Sequence, residues 1–252
     1  MKPISIALVG ATGRFSSDIL TEIENNNNFI VSNAITREGN QFVGLNISEI
    51  SNYHKTNVVI SDNFTNINIA DVIIDVTTRN AFINDNSDIY KKAKKPLIIA
   101  TTAFTEEDIK LIEELSKLVP VMIAANFSEN IILFIDEIKR IMKRGVFSKV
   151  DIVEKHHKYK LDSPSGTAVK ILQAINEVDK DIEVEVSSIR EGDIIGEHHV
   201  TFHSPKGEII KISHKLESRR QLATGVIQGA SFIFNQDNGL FTTENMLERA
   251  VM

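Results

Sequence analysis

Residues 4–14 read Ile4-Ser5-Ile6-Ala7-Leu8-Val9-Gly10-Ala11-Thr12-Gly13-Arg14, a nearly unbroken apolar run that ends in a glycine turn. A short run of this kind reads as a strand buried on both faces, and Ile19, Leu20 and Ile23 recur after it at helical spacing. The helix is expected to end in Asn25-Asn26-Asn27-Asn28, and residues 29–35 read as a second strand. Strand, glycine turn, helix, strand is the setting in which a glycine turn means dinucleotide binding. Aligned as G-x-G-x-x-G, Leu8 stands at the first glycine. Gly10 then lets the backbone approach a pyrophosphate, and Gly13 allows close packing.

Working outward, further buried strands are expected at residues 57–60, 71–76, 96–100 and 119–125. Helices are expected near 80–93 and 105–117, the second opened by Thr105 with Asp108 three residues on, a capping box. Short apolar runs separated by helices imply an α/β fold with a Rossmann-type, doubly wound parallel sheet. Ligands collect at the carboxyl ends of such strands, which here are followed by Thr77-Thr78, Thr101-Thr102 and Asn126-Phe127-Ser128. The second strand ends in Thr36-Arg37-Glu38. A threonine cannot accept two ribose hydroxyls as a carboxylate does, whereas an arginine pairs with a 2′-phosphate, so the strand end favours NADPH. Glu38 keeps NADH open as the alternative.

Residues 154–168, Glu154-Lys155-His156-His157-Lys158-Tyr159-Lys160-Leu161-Asp162-Ser163-Pro164-Ser165-Gly166-Thr167-Ala168, hold the densest chemistry in the chain. The alternation at residues 150–154 reads as a strand, and Ala168, Ile171, Leu172, Ile175 and Val178 follow at helical spacing. The histidines and lysines therefore fall where a strand gives way to a loop, and Ser165-Gly166-Thr167 opens a helix. Such a start leaves N–H groups unpaired and favours a carboxylate or phosphate. His156, His157 and Lys160 add groups that hold or transfer protons, which makes an acidic small molecule the natural guest.

A helix over residues 129–144 is too apolar for one exposed face. Strands over 182–190, 198–203 and 208–216 follow, the last two joined by the hairpin turn Ser204-Pro205-Lys206-Gly207. This is a smaller α+β domain with an open mixed sheet, and subunit association would cover its free face. The domains are expected to be 1–128 with 218–252, binding the dinucleotide, and 129–217, binding substrate and partner subunits. His199 and His203 share a strand face while His198 points away, and no matching carboxylates accompany them, so no metal is expected.

At 252 residues, 42% hydrophobic and 25% charged, the chain suits two modest soluble domains. A net charge of −6 gives no reason to expect nucleic acid or an anionic membrane as partner. With no cysteine, disulfides, thiolate metal sites and a cysteine nucleophile are excluded. The apolar part of residues 4–9 is too short for a signal peptide, and no run reaches membrane-spanning length, so a cytoplasmic location is expected.

The string His156-His157-Lys158-Tyr159-Lys160-Leu161-Asp162-Ser163-Pro164-Ser165-Gly166-Thr167-Ala168 closely resembles the signature of the dihydrodipicolinate reductases, also called 4-hydroxy-tetrahydrodipicolinate reductases. Gly10, Gly13 and Arg14 match that family's turn, with Phe15 and Ser16 where methionine and glycine are usual. Asn126-Phe127-Ser128 is intact, and Ala100-Thr101-Thr102-Ala103 replaces a Gly-Thr-Thr-Gly. Residues 190–198, 213–215 and 239–241 also match, so the likeness covers nearly the whole chain, with Gly192, Asp193 and Gly196 taken as structural.

The resemblance implies NAD(P)H-dependent reduction of a cyclic dicarboxylate in lysine and diaminopimelate synthesis by a homotetramer. His156 would be the general acid/base, Lys160 its cationic partner and proton donor, and His157 a substrate contact, with Gly166 and Thr167 holding a carboxylate. The cofactor would touch Gly10, Ala11, Thr12, Gly13, Arg14, Phe15, Arg37, Ala100, Thr101, Thr102, Ala124, Ala125, Asn126 and Phe127. A nucleotide-binding redox sensor and a dehydrogenase of another acidic substrate are the alternatives. A sensor has no use for His156, His157 and Lys160 together.

Overall fold

A computed structural model describes residues 2–124 and 126–250. The chain divides into two compact units, residues 1–127 with 220–252, and residues 128–219.

In the first unit the described strands are β1 (Ile4–Val9), β2 (Phe29–Ile35), β3 (Ile60–Ser61), β4 (Val72–Asp75), β5 (Leu97–Ile99) and β6 (Pro120–Ile123). Helix α1 (Arg14–Glu24) joins β1 to β2. After β4 come α2 (Arg79–Ala81), a π-helical turn (Phe82–Asn86) and α3 (Ser87–Ala93), and α4 (Glu106–Ser116) follows β5. A late strand pairs with β6, making a seven-stranded sheet in the order β3-β2-β1-β4-β5-β6 and then this strand, parallel throughout.

Successive strand residues point to opposite faces. Ile6 and Leu8 of β1 join Ile74, Ile98 and Met122 in one apolar cluster. Ala7 and Val9 join Ile73, Ile99 and Val121 in the other, with Tyr90, Ile112 and Leu115. Both faces are thus covered, as the near-continuous apolar strands require. Full burial of each Ile or Leu contributes about 1.5–3 kcal/mol. The capping box at α4 forms: the Thr105 side chain accepts from Asp108 N–H, and Asp108 from Thr105 N–H.

Two expectations need correction. The strand expected at residues 57–60 is displaced: Val59 is 59% exposed and bridges Asn46 in antiparallel sense, and parallel pairing begins only at Ile60. The helix expected over 80–93 is broken by its π turn, which lets Asn86 reach inward to the buried Asp75 carboxylate at 3.0 Å.

The second unit begins with α5 (Glu129–Met142), followed by β7 (Lys149–His156), α6 (Gly166–Val178), β8 (Glu183–Arg190), β9 (Gly196–His203) and β10 (Ile209–Leu216). Its four-stranded sheet has the order β10-β9-β7-β8, with β7 and β8 parallel and the other pairs antiparallel. The turn before β10 closes through Gly207 N–H donating to the Ser204 carbonyl at 3.0 Å and Ser204 N–H to Glu208 at 2.8 Å. In β7 every second residue from Val150 is buried, and Glu154 and His156 fall in that phase. The chain then re-enters the first unit with α7 (Arg220–Ile233), β11 (Gly239–Phe241), the strand beside β6, and α8 (Thr243–Ala250).

Candidate active site

In the first unit the glycine turn after β1 is fixed by main-chain contacts. Gly10 has φ +89°, and a side chain there would begin 3.1 Å from the Val76 carbonyl oxygen. The N–H groups of Gly10 and Ala11 donate to the Ile35 carbonyl at 2.8 and 2.9 Å. The Gly10 carbonyl accepts from Gly13 N–H at 2.9 Å and from the fully buried Ser16 hydroxyl at 2.6 Å. Ser16, where glycine is usual, is thus a strut of the turn. Gly13 is the N-cap of α1 and brings no side-chain acceptor, and the first turn of the helix carries no acid. Its N-terminal N–H groups and partial positive charge suit a pyrophosphate. Arg14 is exposed, while Phe15 packs on the apolar core.

The ends of β2, β1, β4 and β5 carry a row of hydroxyls. Thr12 and Thr36 share a hydrogen bond at 2.9 Å, and Asn40 Nδ2 donates to Thr12 at 3.3 Å. Arg37 and Glu38 are exposed. Thr77 donates its N–H and hydroxyl to Asp75 at 2.8 and 2.6 Å, and the Thr101 hydroxyl donates to the Thr77 carbonyl at 3.2 Å. Ala100 packs on the core and Thr102 is exposed. Ala103 takes φ +67°, the left-handed region that favours the glycine expected there. Ala124 and Phe127 are buried, Asn126 is half-buried, and Ala125 lies outside the described residues. The Phe127 main chain lies against α7, where a Cβ on Gly225 would fall 1.8 Å from its carbonyl oxygen.

In the second unit the centre is Glu154, whose side chain has no exposure. Its carboxylate accepts a fork from Arg190, Nη1 to Oε2 at 3.0 Å and Nη2 to Oε1 at 2.7 Å. It also takes Ser165 N–H at 3.2 Å and a short hydrogen bond from Nδ1 of His156. Burial alone would raise this carboxyl; hydrogen bonds from Arg190, Ser188 and His156 outweigh it and bring the pKa down to about 2. His156 is 8% exposed, and burial pushes its pKa below the usual value against the pull of Glu154. Its Nε2 lies over the bare backbone of Gly196, 3.2 Å from where a side chain would begin.

Behind it His198, buried in β9, stands edge-on to His156 at 5.4 Å between ring centres, and His214 of β10 follows at 5.7 Å. Burial drives His198 down to about 3, so it is neutral at physiological pH. The expected placement of His199 and His203 on the other face holds: His203 Nε2 meets Asp151 at 2.7 Å.

The loop after β7 brings Lys160 Nζ to Asp162 at 2.8 Å, and the Gly166 N–H at the start of α6 also donates to Asp162. Ser165 caps the helix by accepting Ala168 N–H at 3.2 Å. Thr167 is buried in its first turn, and the His157 ring lies 6.4 Å from that of Tyr159. The structure places His156, Lys160, Gly166 and Thr167 along one strand end, loop and helix start. Glu154 and Arg190, which tie them together, are the pair that sequence reasoning missed; the buried phase of β7 was the signal for Glu154.

Strand order and glycine turn define a Rossmann-type, dinucleotide-binding class of fold, joined to a second unit with a buried histidine cluster. Residues 4–127 match the family model described as dihydrodipicolinate reductase, N-terminus, and residues 130–247 match dihydrodipicolinate reductase, C-terminus. The chain belongs to the dihydrodipicolinate reductase family. It is 34% identical to the 4-hydroxy-tetrahydrodipicolinate reductase of Buchnera aphidicola subsp. Baizongia pistaciae, with 97% of each chain covered. It is 36% identical to that of Buchnera aphidicola subsp. Schizaphis graminum, with 96% of each covered. Its fold is similar to that of a dipicolinate-bound dihydrodipicolinate reductase from Paenisporosarcina sp. TG-14, at a TM-score of 0.71 and 22% identity over 95% of this chain and 97% of that one.

Proposed function

We propose that the protein reduces 4-hydroxy-tetrahydrodipicolinate, the substrate in its relatives' names, to tetrahydrodipicolinate with NAD(P)H, in lysine and diaminopimelate synthesis. The observation that carries this reading is in the loop after β7. A carboxylate, that of Asp162, already rests on Lys160 and the Gly166 N–H, beside the buried His156. A substrate carboxylate would take the same helix-start donors, with Thr167 and His157 completing its contacts. The bound nicotinamide supplies the hydride. Lys160 would supply the proton with which the 4-hydroxyl leaves as water, and His156 would take or return one at Nε2.

The first unit would bind the dinucleotide, with the pyrophosphate at the start of α1 over Gly10, Ala11, Thr12 and Gly13, flanked by Arg14 and Phe15. Residues 100–102 and 124–127 would line the nicotinamide end. NADPH is the preferred form. Supporting this, Thr36 offers no carboxylate, its hydroxyl is engaged by Thr12, and the exposed Arg37 follows it. The second unit would bind substrate and assemble the homotetramer in the cytoplasm. The alternate residues of β8, Glu183, Glu185, Ser187 and Ile189, are exposed along its sheet, a face that association would cover.

The test follows nicotinamide absorbance while the purified protein meets substrate made in place by the preceding synthase. Substrate-dependent oxidation, faster with NADPH than NADH, is expected. Cofactor binding without oxidation of either nucleotide would leave the redox-sensor reading in its place.

A further inference from the structure

The buried face of the four-stranded sheet carries more charge than substrate binding needs. Glu154 and Arg190 hold the base of the loop through Ser165 N–H and the Asp162 carbonyl, yet their charged groups are turned to the inner side of the sheet beside His156. A buried ion pair is weak evidence for stability, because its desolvation cost rivals its attraction. A role in orientation accounts for it better.

Resting on the reductase reading, we propose that Glu154 and Arg190 act as a charge-compensated clamp that fixes the tautomer of His156. Glu154 takes the proton-bearing Nδ1, leaving Nε2 over Gly196 as the unprotonated, working nitrogen. Arg190 engages both oxygens of the same carboxylate and reaches on to the Asp162 carbonyl at 2.6 Å. The Glu154 charge that holds the ring is thereby balanced, and does not by itself turn the imidazole into an imidazolium. Register explains why these residues meet: β7 and β8 are parallel, with Glu154 opposite Ser188 and His156 opposite Arg190.

The groups facing His156 from each neighbouring element act in one direction. His198 on β9 and His214 behind it on β10 are neutral, and Lys160 and Arg190 oppose a second cation. Only Glu154 pulls the other way. Burial pushes His156 down against that pull, in keeping with a neutral ring. Glu154 and Arg190 are positioning residues, acting on the reaction through His156.

The experiment is 15N NMR of the histidine rings in labelled full-length protein, with His156 assigned by its loss in His156→Gln. The unsubstituted protein should show the Nδ1–H tautomer at neutral pH. In Arg190→Gln the uncompensated carboxylate raises the His156 titration midpoint, and in Glu154→Gln the uncompensated guanidinium lowers it, each by about one unit. The acidic limb of the kcat/KM profile should move with the same signs. Activity of Glu154→Gln should fall roughly 10- to 100-fold, by analogy with the loss when the carboxylate partner of a metal-bound histidine is removed. An Nε2–H tautomer in the unsubstituted protein overturns the proposal, as do shifts of the same sign in the two variants. If Arg190→Gln does not fold, the unsubstituted spectrum and Glu154→Gln still decide. The ring spectra need no substrate, so failure of the clamp is separable from failure of the reductase reading.

Discussion

At the carboxyl end of the parallel sheet, the groups offered to a ligand belong to the main chain. The turn at Gly10 and the helix start at Gly13 are shaped by carbonyls and N–H groups, and the side chains around them are small hydroxyls bonded to one another. On the inner face of the four-stranded sheet the reverse holds. Glu154, His156 and His198 are buried ionisable side chains, with the half-buried Arg190 on the Glu154 carboxylate, placed where Val150, Val200 and Phe202 would continue an ordinary core. A dinucleotide is long and needs a backbone that lets it approach, whereas proton transfer needs a few groups with set protonation states. The first region should therefore be sensitive to a single added carbon, and the second to pH.

The largest expected effect is acid lability of the second unit. His198 titrates near 3 when folded and near 6.5 when unfolded, so between those values the unfolded chain binds more protons. Stability should fall as pH drops through that window, by on the order of 5 kcal/mol for this group over its whole span. Glu154, depressed from 4.5 to about 2, adds a loss of the same sign below pH 4.5. Hydrogen exchange followed from pH 7 to 4 should show amides of residues 149–156 and 196–203 losing protection before those of residues 4–9. Equal loss in both would dissolve the contrast.

The complementary break is Gly225→Ala. Its new Cβ would lie 1.8 Å from the Phe127 carbonyl oxygen, so the helix or the residue 126–128 turn must move. A cost of about 1–3 kcal/mol in thermal unfolding is expected, together with weaker cofactor binding. Unchanged stability and affinity would mean that the turn is not held as rigidly as described.

Much of this was legible in the chain. The run into Gly10-Ala11-Thr12-Gly13, the capping box at Thr105, the helix start after Pro164 and the strand-to-loop change at His156 each carry a local signal, and each lies where it was expected. The Glu154–Arg190 pair was hidden by 36 residues of separation, closed only by the parallel register of β7 and β8. Phase alone held a clue, since Glu154 and His156 continue the period of Val150 and Ile152. The third strand was misplaced because Val58 and Val59 are apolar but serve an irregular approach, with pairing starting at Ile60. The π turn at Phe82–Asn86 left no signal in hydrophobic spacing.

Two smaller effects sharpen the picture of the cofactor side. Arg37→Ala should weaken NADPH roughly tenfold, the loss of one hydrogen bond to a charged group, and leave NADH unchanged. Isothermal titration with both nucleotides reads this directly, and equal weakening would remove Arg37 from the 2′-phosphate. Ala103→Gly relieves a side chain held at φ +67° and should raise thermal stability by about 0.5–1 kcal/mol.

The division of labour is tested most directly by measuring NADPH affinity and turnover together in the double variant His156→Gln, Lys160→Ala. NADPH affinity should be unchanged while kcat falls at least ~100-fold, the usual worth of acid–base groups. Turnover near that of the unsubstituted protein, or loss of NADPH binding with kcat retained, would contradict the assignment of the chemistry to the second unit.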